Sequence, residues 1–68
     1  MIKFEIDSSN EGIEIYLDGN GVNELISYLD FIKRKQEHMH LVVGAELTES
    51  ANPNSNINVK HVKLIYIE

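Results

Sequence analysis

The 68-residue chain has no cysteine, no tryptophan and a single proline, and its aromatic side chains are two Phe and three Tyr. Without cysteine, neither a disulfide framework nor a thiolate metal site is available, which fits a reducing compartment such as the cytoplasm. No apolar run approaches the length that crosses a bilayer. The first residues, MIKFEIDSS, alternate apolar and polar side chains and lack the continuous apolar stretch of a signal peptide. There is no glycine-rich phosphate loop, no nucleophile elbow and no CxxC pair, so the common short catalytic motifs are missing. Basic residues are scarce, six against eleven acidic ones, for a formal net charge of −5. An acidic domain repels nucleic-acid phosphates and attracts basic proteins, and the same charge keeps a small domain in solution. Sixty-eight residues make one domain, residues 1–68, near the lower end of chains that fold without staples.

What the chain does have is organised around residues 20–37, NGVNELISYLDFIKRKQE. Val22, Leu25, Ile26, Leu29 and Ile32 recur at helical spacing and form one apolar stripe for a single partner surface. Asn20 is the expected N-cap, and Glu24 lies toward the positive end of the helix dipole. Lys33, Arg34 and Lys35 lie toward the negative end. Before the helix, Ile2, Phe4 and Ile6 alternate with Lys3, Glu5 and Asp7. Ile13, Ile15 and Leu17 alternate with Glu14 and Tyr16 after the turn residues Ser8 to Gly12, which predicts an antiparallel hairpin with one wet face. After the helix, residues 38–43 return to period two, with Met39, Leu41 and Val43 facing the helix and His38, His40 and Val42 facing away. Residues 44–57 are rich in turn formers and read as a long irregular loop, stiffened at Pro53 and flanked by Asn52, Asn54 and Asn56. Val59 to Ile67 reads as one long last strand with Val62 and Leu64 inward. The predicted architecture is α+β, ββαββ: a four-stranded sheet with one helix packed on one face, its strand order open. The expected core sets Leu25, Ile26, Leu29 and Ile32 against Phe4, Ile6, Ile15, Leu41 and Leu64.

Three constellations merit a chemical reading. His38 and His40 share a strand face that His61 would join if the last two strands pair, and imidazoles suit zinc, copper or nickel. An open sheet surface offers no enclosing second shell, so solvated histidines and no bound metal are the expectation. Glu46 and Glu49 form a carboxylate pair of the kind a hydrolase uses, but no nucleophile or histidine adjoins them, and Thr48 and Glu49 equally suit a local cap or turn. The sheet face away from the helix should carry Tyr16, Val42 and Ile65 among charges and histidines, an arrangement that meets a partner or a second copy of the chain.

The segments His38-Met39-His40-Leu41, Gly44-Ala45-Glu46-Leu47-Thr48-Glu49 and Val62-Lys63-Leu64-Ile65-Tyr66 together resemble the immunity protein 32 family of bacterial polymorphic toxin systems. The resemblance spans most of residues 20–68, with the helix falling where that family has one. It implies a cytoplasmic bacterial protein that binds and neutralises a cognate toxin without catalysis and without a cofactor. Glu46, Thr48, Glu49, His38 and His40 are the matching positions that would serve as contacts. The alternative is a small structural or regulatory protein that self-associates through its free sheet surface and has no toxin partner.

Overall fold

Two five-residue strands, β1 (Ile2–Ile6) and β2 (Ile13–Leu17), open the chain as the expected antiparallel hairpin. A computed structural model describes residues 1–49 and 55–68. The hairpin turn is held by Asp7, whose Oδ1 accepts from the Ser9 hydroxyl at 2.7 Å and from the backbone N–H groups of Ser9 and Glu11. The Ser9 hydroxyl, and then the backbone donors, hold the Asp7 carboxyl below the usual carboxylate range. Asn10 sits in the left-handed region at φ 60, a conformation that asparagine tolerates better than most residues.

The helix α1 (Gly19–Lys35) is present, but its cap differs from expectation. Asp18, not Asn20, caps it: Asp18 Oδ1 accepts from Gly21 N at 2.7 Å and from the N-terminal ammonium of Met1 at 2.7 Å. A carboxylate here meets both the helix dipole and a full positive charge, which an amide cannot do as well. The first turn holds no acidic residue, so Glu24 lies beyond the reach assigned to it, whereas Lys33, Arg34 and Lys35 do occupy the last turn. Gln36 closes the helix in the left-handed region, with its N–H on Ile32 O at 2.8 Å. Gly21 is needed where it stands, because a Cβ there would overlap the Met1 carbonyl oxygen.

The four-stranded sheet is replaced by two antiparallel sheets, one of three strands in the order β2-β1-β4 and one of two strands, β3-β5. The long last strand divides. Ile57–Asn58 forms β4 against Glu5 and Ile6 of β1, and His61–Leu64 forms β5 against β3 (Met39–Val42). Between them the chain changes sheets: Val59 N donates to Phe4 O at 2.9 Å, and Lys60 O accepts from Val43 N at 3.1 Å. Regular pairing ends at Leu64, three residues before the expected Ile67. The expected loop is also ordered at its start. Ala45 N and Leu47 N both donate to Val42 O, Gly44 turns at φ 89, and Thr48 N reaches Ile2 O at 2.8 Å. Pro53, Asn52 and Asn54 lie outside the described residues.

Ile2, Phe4, Leu41 and Leu47 form the buried centre, and Leu25, Tyr28, Met39, Val43, Val59, Val62 and Leu64 pack around it. The inward assignments of Met39, Leu41, Val43, Val62 and Leu64 therefore hold. The helix stripe does not act as one surface: Ile32 is buried and Leu25 half-buried, but Val22, Ile26 and Leu29 remain exposed. Ile15, expected in the core, is exposed along with every other residue of β2. The core instead recruits Leu47 at 3% exposure, a residue the composition of its segment had assigned to a loop. The 44–49 turn thus contributes one leucine to the centre, while Ile26 and Leu29 stay outside it.

Candidate functional site

The outer face of β3–β5 is built by period-two alternation. Leu41 is wholly buried, so its neighbours His40 and Val42 must point outward. The register sets His40 opposite Lys63 and Val42 opposite His61, and Ile65 follows β5 with 61% of its surface exposed. Of the eight residues singled out as candidate contacts, four therefore come together here: His38, His40, Val42 and Ile65.

The histidines form a stack. The His40 and His61 rings lie 4.9 Å apart at 13°, and the His38 ring meets His40 edge-on at 5.0 Å. His40 Nδ1 and His61 Nε2 are 2.7 Å apart, so one nitrogen donates and the other accepts, with the direction set by the tautomers. The pair can share one proton but not hold two across that contact. Desolvation of His40 within the stack, then the charges of His61, His38 and Lys63, lower its pKa below the ordinary 6.5. Two nitrogens hydrogen-bonded to each other are closer than two ligands of a tetrahedral zinc with Zn–N of about 2.1 Å. Among the described residues no group of three His, Cys, Asp or Glu is arranged to hold a metal ion.

The remaining candidates lie elsewhere. Glu46 is half-buried and its Oε1 accepts from Val42 N at 3.1 Å, so it fastens the 44–47 turn to β3. Thr48 and Glu49 are exposed, and the backbone of Thr48 is tied to β1. Tyr16 belongs to the other sheet, so it cannot share one surface with Val42 and Ile65 as expected. The single four-stranded sheet that would have joined them does not form.

Tyr16 instead joins a polar cluster that sequence reasoning missed. Glu5 and Glu14 face each other across β1 and β2, and the Asn56 amide donates to both, at 3.1 and 3.0 Å. Tyr16 donates its hydroxyl to Glu14, and that bond, with burial and the carboxylate charges, pushes its pKa up to about 12. Glu5, expected on a wet face, is only 3% exposed. Its strand alternation was legible; the cover supplied by β4 was not, because Asn58 comes to lie beside it from fifty-three residues away.

Among the described residues the fold is thus a small α+β domain with one helix, two antiparallel sheets and open lateral faces. No family model matches the chain, and no curated protein or solved structure matches it. Among the described residues no helix is long and apolar enough to cross a membrane.

Proposed function

We propose that this chain is a non-enzymatic protein-binding domain of the immunity type, which neutralises a co-produced bacterial toxin by occupying its surface. The observation that supports this reading is the outer face of β3–β5, where Val42 and Ile65 lie exposed beside three imidazoles and Lys63. The fold uses none of these side chains in its core. Apolar groups set among rings that donate or accept hydrogen bonds are the composition of an interface centre, where charged residues are depleted. The net charge of −5 adds long-range attraction for a basic partner, chiefly through the encounter rate. The test is co-expression with a toxin encoded beside this chain's gene in a sensitive host. Protection is expected from the native chain and lost with Val42→Glu combined with Ile65→Glu in a protein that still folds. Growth arrest despite the native chain, or no toxin gene adjacent to it, overturns the reading.

A second reading, a self-associating structural or regulatory protein without a toxin partner, draws on a different surface: the exposed strand β2 and the uncovered side of α1.

A further inference from the structure

We infer that β2 and the exposed stripe of α1 are covered by a second copy of this chain, through antiparallel pairing of β2 with itself about a two-fold axis centred on Ile15. The inference develops the self-association reading and is independent of any toxin.

The backbone supplies the first argument. Asp7 N donates to Gly12 O at 3.0 Å and Asp18 N donates to Met1 O at 3.3 Å, which marks the two ends of the β1–β2 ladder. Hydrogen-bonded and non-hydrogen-bonded pairs alternate between those ends. The main-chain groups of Glu14 and Tyr16 therefore turn toward β1, and those of Ile13, Ile15 and Leu17 turn away from it. On β1 the groups that turn away from the hairpin are engaged: Ile2 O accepts from Thr48 N and Phe4 O from Val59 N. On β2, the edge of its sheet, no strand among the described residues meets them. Nor does β2 carry a proline, or an inward-pointing charge, to deter pairing.

The side chains supply the second. A strand that pairs with its own copy must be complementary to its own reversal. Centred on Ile15, the segment Ile13–Leu17 sets Ile15 against Ile15, Ile13 against Leu17 and Glu14 against Tyr16, which already donates to Glu14 within one chain. Moving the axis one residue back sets Glu14 against Glu14, and one residue forward sets Glu14 against Asp18. Both oppose like charges on neighbouring strands, which is destabilising. Of these three registers, the one centred on Ile15 alone avoids opposed like charges and joins the outward-turned main-chain groups.

The third argument is area. The Ile2↔Leu17 and Phe4↔Ile15 pairs put Ile13, Ile15 and Leu17 on the sheet face that carries the core, yet these three stay exposed. The helix begins two residues after β2 and packs against β1 and β2. Val22, Ile26 and Leu29 line its uncovered side. These six side chains keep 37% to 64% of their surface in water, on the order of 500 Å² per copy. Two copies then bury roughly 1,000 Å², the lower bound for a biological interface and the size of a weak, concentration-dependent one.

The test uses the full chain. Light scattering coupled to size exclusion, run over rising concentration, should give a mass twice the 7.8 kDa of one chain. Ile15→Lys should weaken the dimer by more than about tenfold in dissociation constant and leave the monomer folded, whereas Val42→Glu with Ile65→Glu should leave the dimer unchanged. Amide exchange on the native chain keeps the inference testable if Ile15→Lys does not fold. The N–H groups of Ile13, Ile15 and Leu17 should gain protection with concentration. A monomer at every concentration, or fast exchange of these three amides in a dimer, overturns the inference. So does a dimer that survives Ile15→Lys and is lost with the Val42 and Ile65 changes, which would move the interface to β3–β5.

Discussion

Two leucines distinguish the buried centre from the open flank. Leu41 is fully enclosed and paired opposite Val62, whereas Leu29 keeps 46% of its surface in water although both satisfy the hydrophobic pattern. Truncating a buried Leu to Ala costs about 2–5 kcal/mol, the transfer of the removed carbons plus the cavity left behind. Leu41 belongs at the upper part of that range, because Ile2, Phe4 and Leu47 surround it and the β3–β5 ladder limits collapse. Leu29 in a monomer loses only the contacts of a half-covered side chain, about 1 kcal/mol at 25 cal/mol per Å². A chain of this size has a total stability of roughly 3–10 kcal/mol. Leu41→Ala should therefore leave little folded protein at 25 °C, while Leu29→Ala shifts the urea midpoint modestly at low protein concentration. If the proposed dimer forms, the Leu29→Ala deficit should then grow with concentration, because pairing would bury that side chain and association stabilises by mass action. Urea unfolding followed by circular dichroism at two concentrations separates these cases. Equal costs for the two substitutions at low concentration would refute the division of the helix into buried and open sides.

His40 should titrate below 6.5 in an NMR pH series, and His61→Ala should move it upward by relieving both burial and charge. A folded pKa below the unfolded one makes the His40 contribution complete above 6.5 and lost as pH falls through the folded value, an effect that solvent keeps small at an exposed ring. Asp18→Ala should lower the unfolding midpoint by removing a helix cap and the partner of the N-terminal ammonium, whereas Asp18→Asn should retain part of the cap. Because the Met1 ammonium and the Gly21 N–H hold the Asp18 carboxyl below 3.8, its contribution should be present above that value and vanish as pH falls through the lowered one. Glu46→Gln should preserve the fold, since the amide oxygen can still accept from Val42 N, and Glu46→Ala should lower the midpoint by freeing the 44–47 turn.

Local periodicity carried the hairpin, the helix and the facing of β3 and β5, because each rests on spacing within a few residues. The pairing of Asp18 with the N-terminal ammonium was not legible, since it joins residues seventeen apart and depends on where β1 places Met1. The break between β4 and β5 was equally hidden: Val59 and Lys60 look like strand, but Val59 N donates to Phe4 O of one sheet and Lys60 O accepts from Val43 N beside the other. The candidate site was legible in part. Alternation alone sends His38, His40, Val42 and Ile65 outward, but Tyr16 required a sheet continuous from β2 to β3. Leu47 shows the complementary failure, for a single leucine in a polar segment has no period to reveal that it is buried.

The division of the sheets also separates the surfaces of the two proposed contacts, which a single sheet would have merged. In a four-stranded sheet with one free face, self-association and capture of another protein compete for the same residues. Here β2 and the open side of α1 form one apolar flank, and the histidine face of β3–β5 lies on the other sheet. A second copy paired at Ile15 extends β2-β1-β4 sideways through the edge of β2. Neither Val42 nor Ile65 lies on that edge, so a dimer presents two histidine faces rather than covering them. Two such faces in one assembly raise the effective concentration for a partner that can span both. Dimerisation and partner binding would then reinforce each other, and weakening the Ile15 pairing should cost a bivalent partner more affinity than it costs a monovalent one.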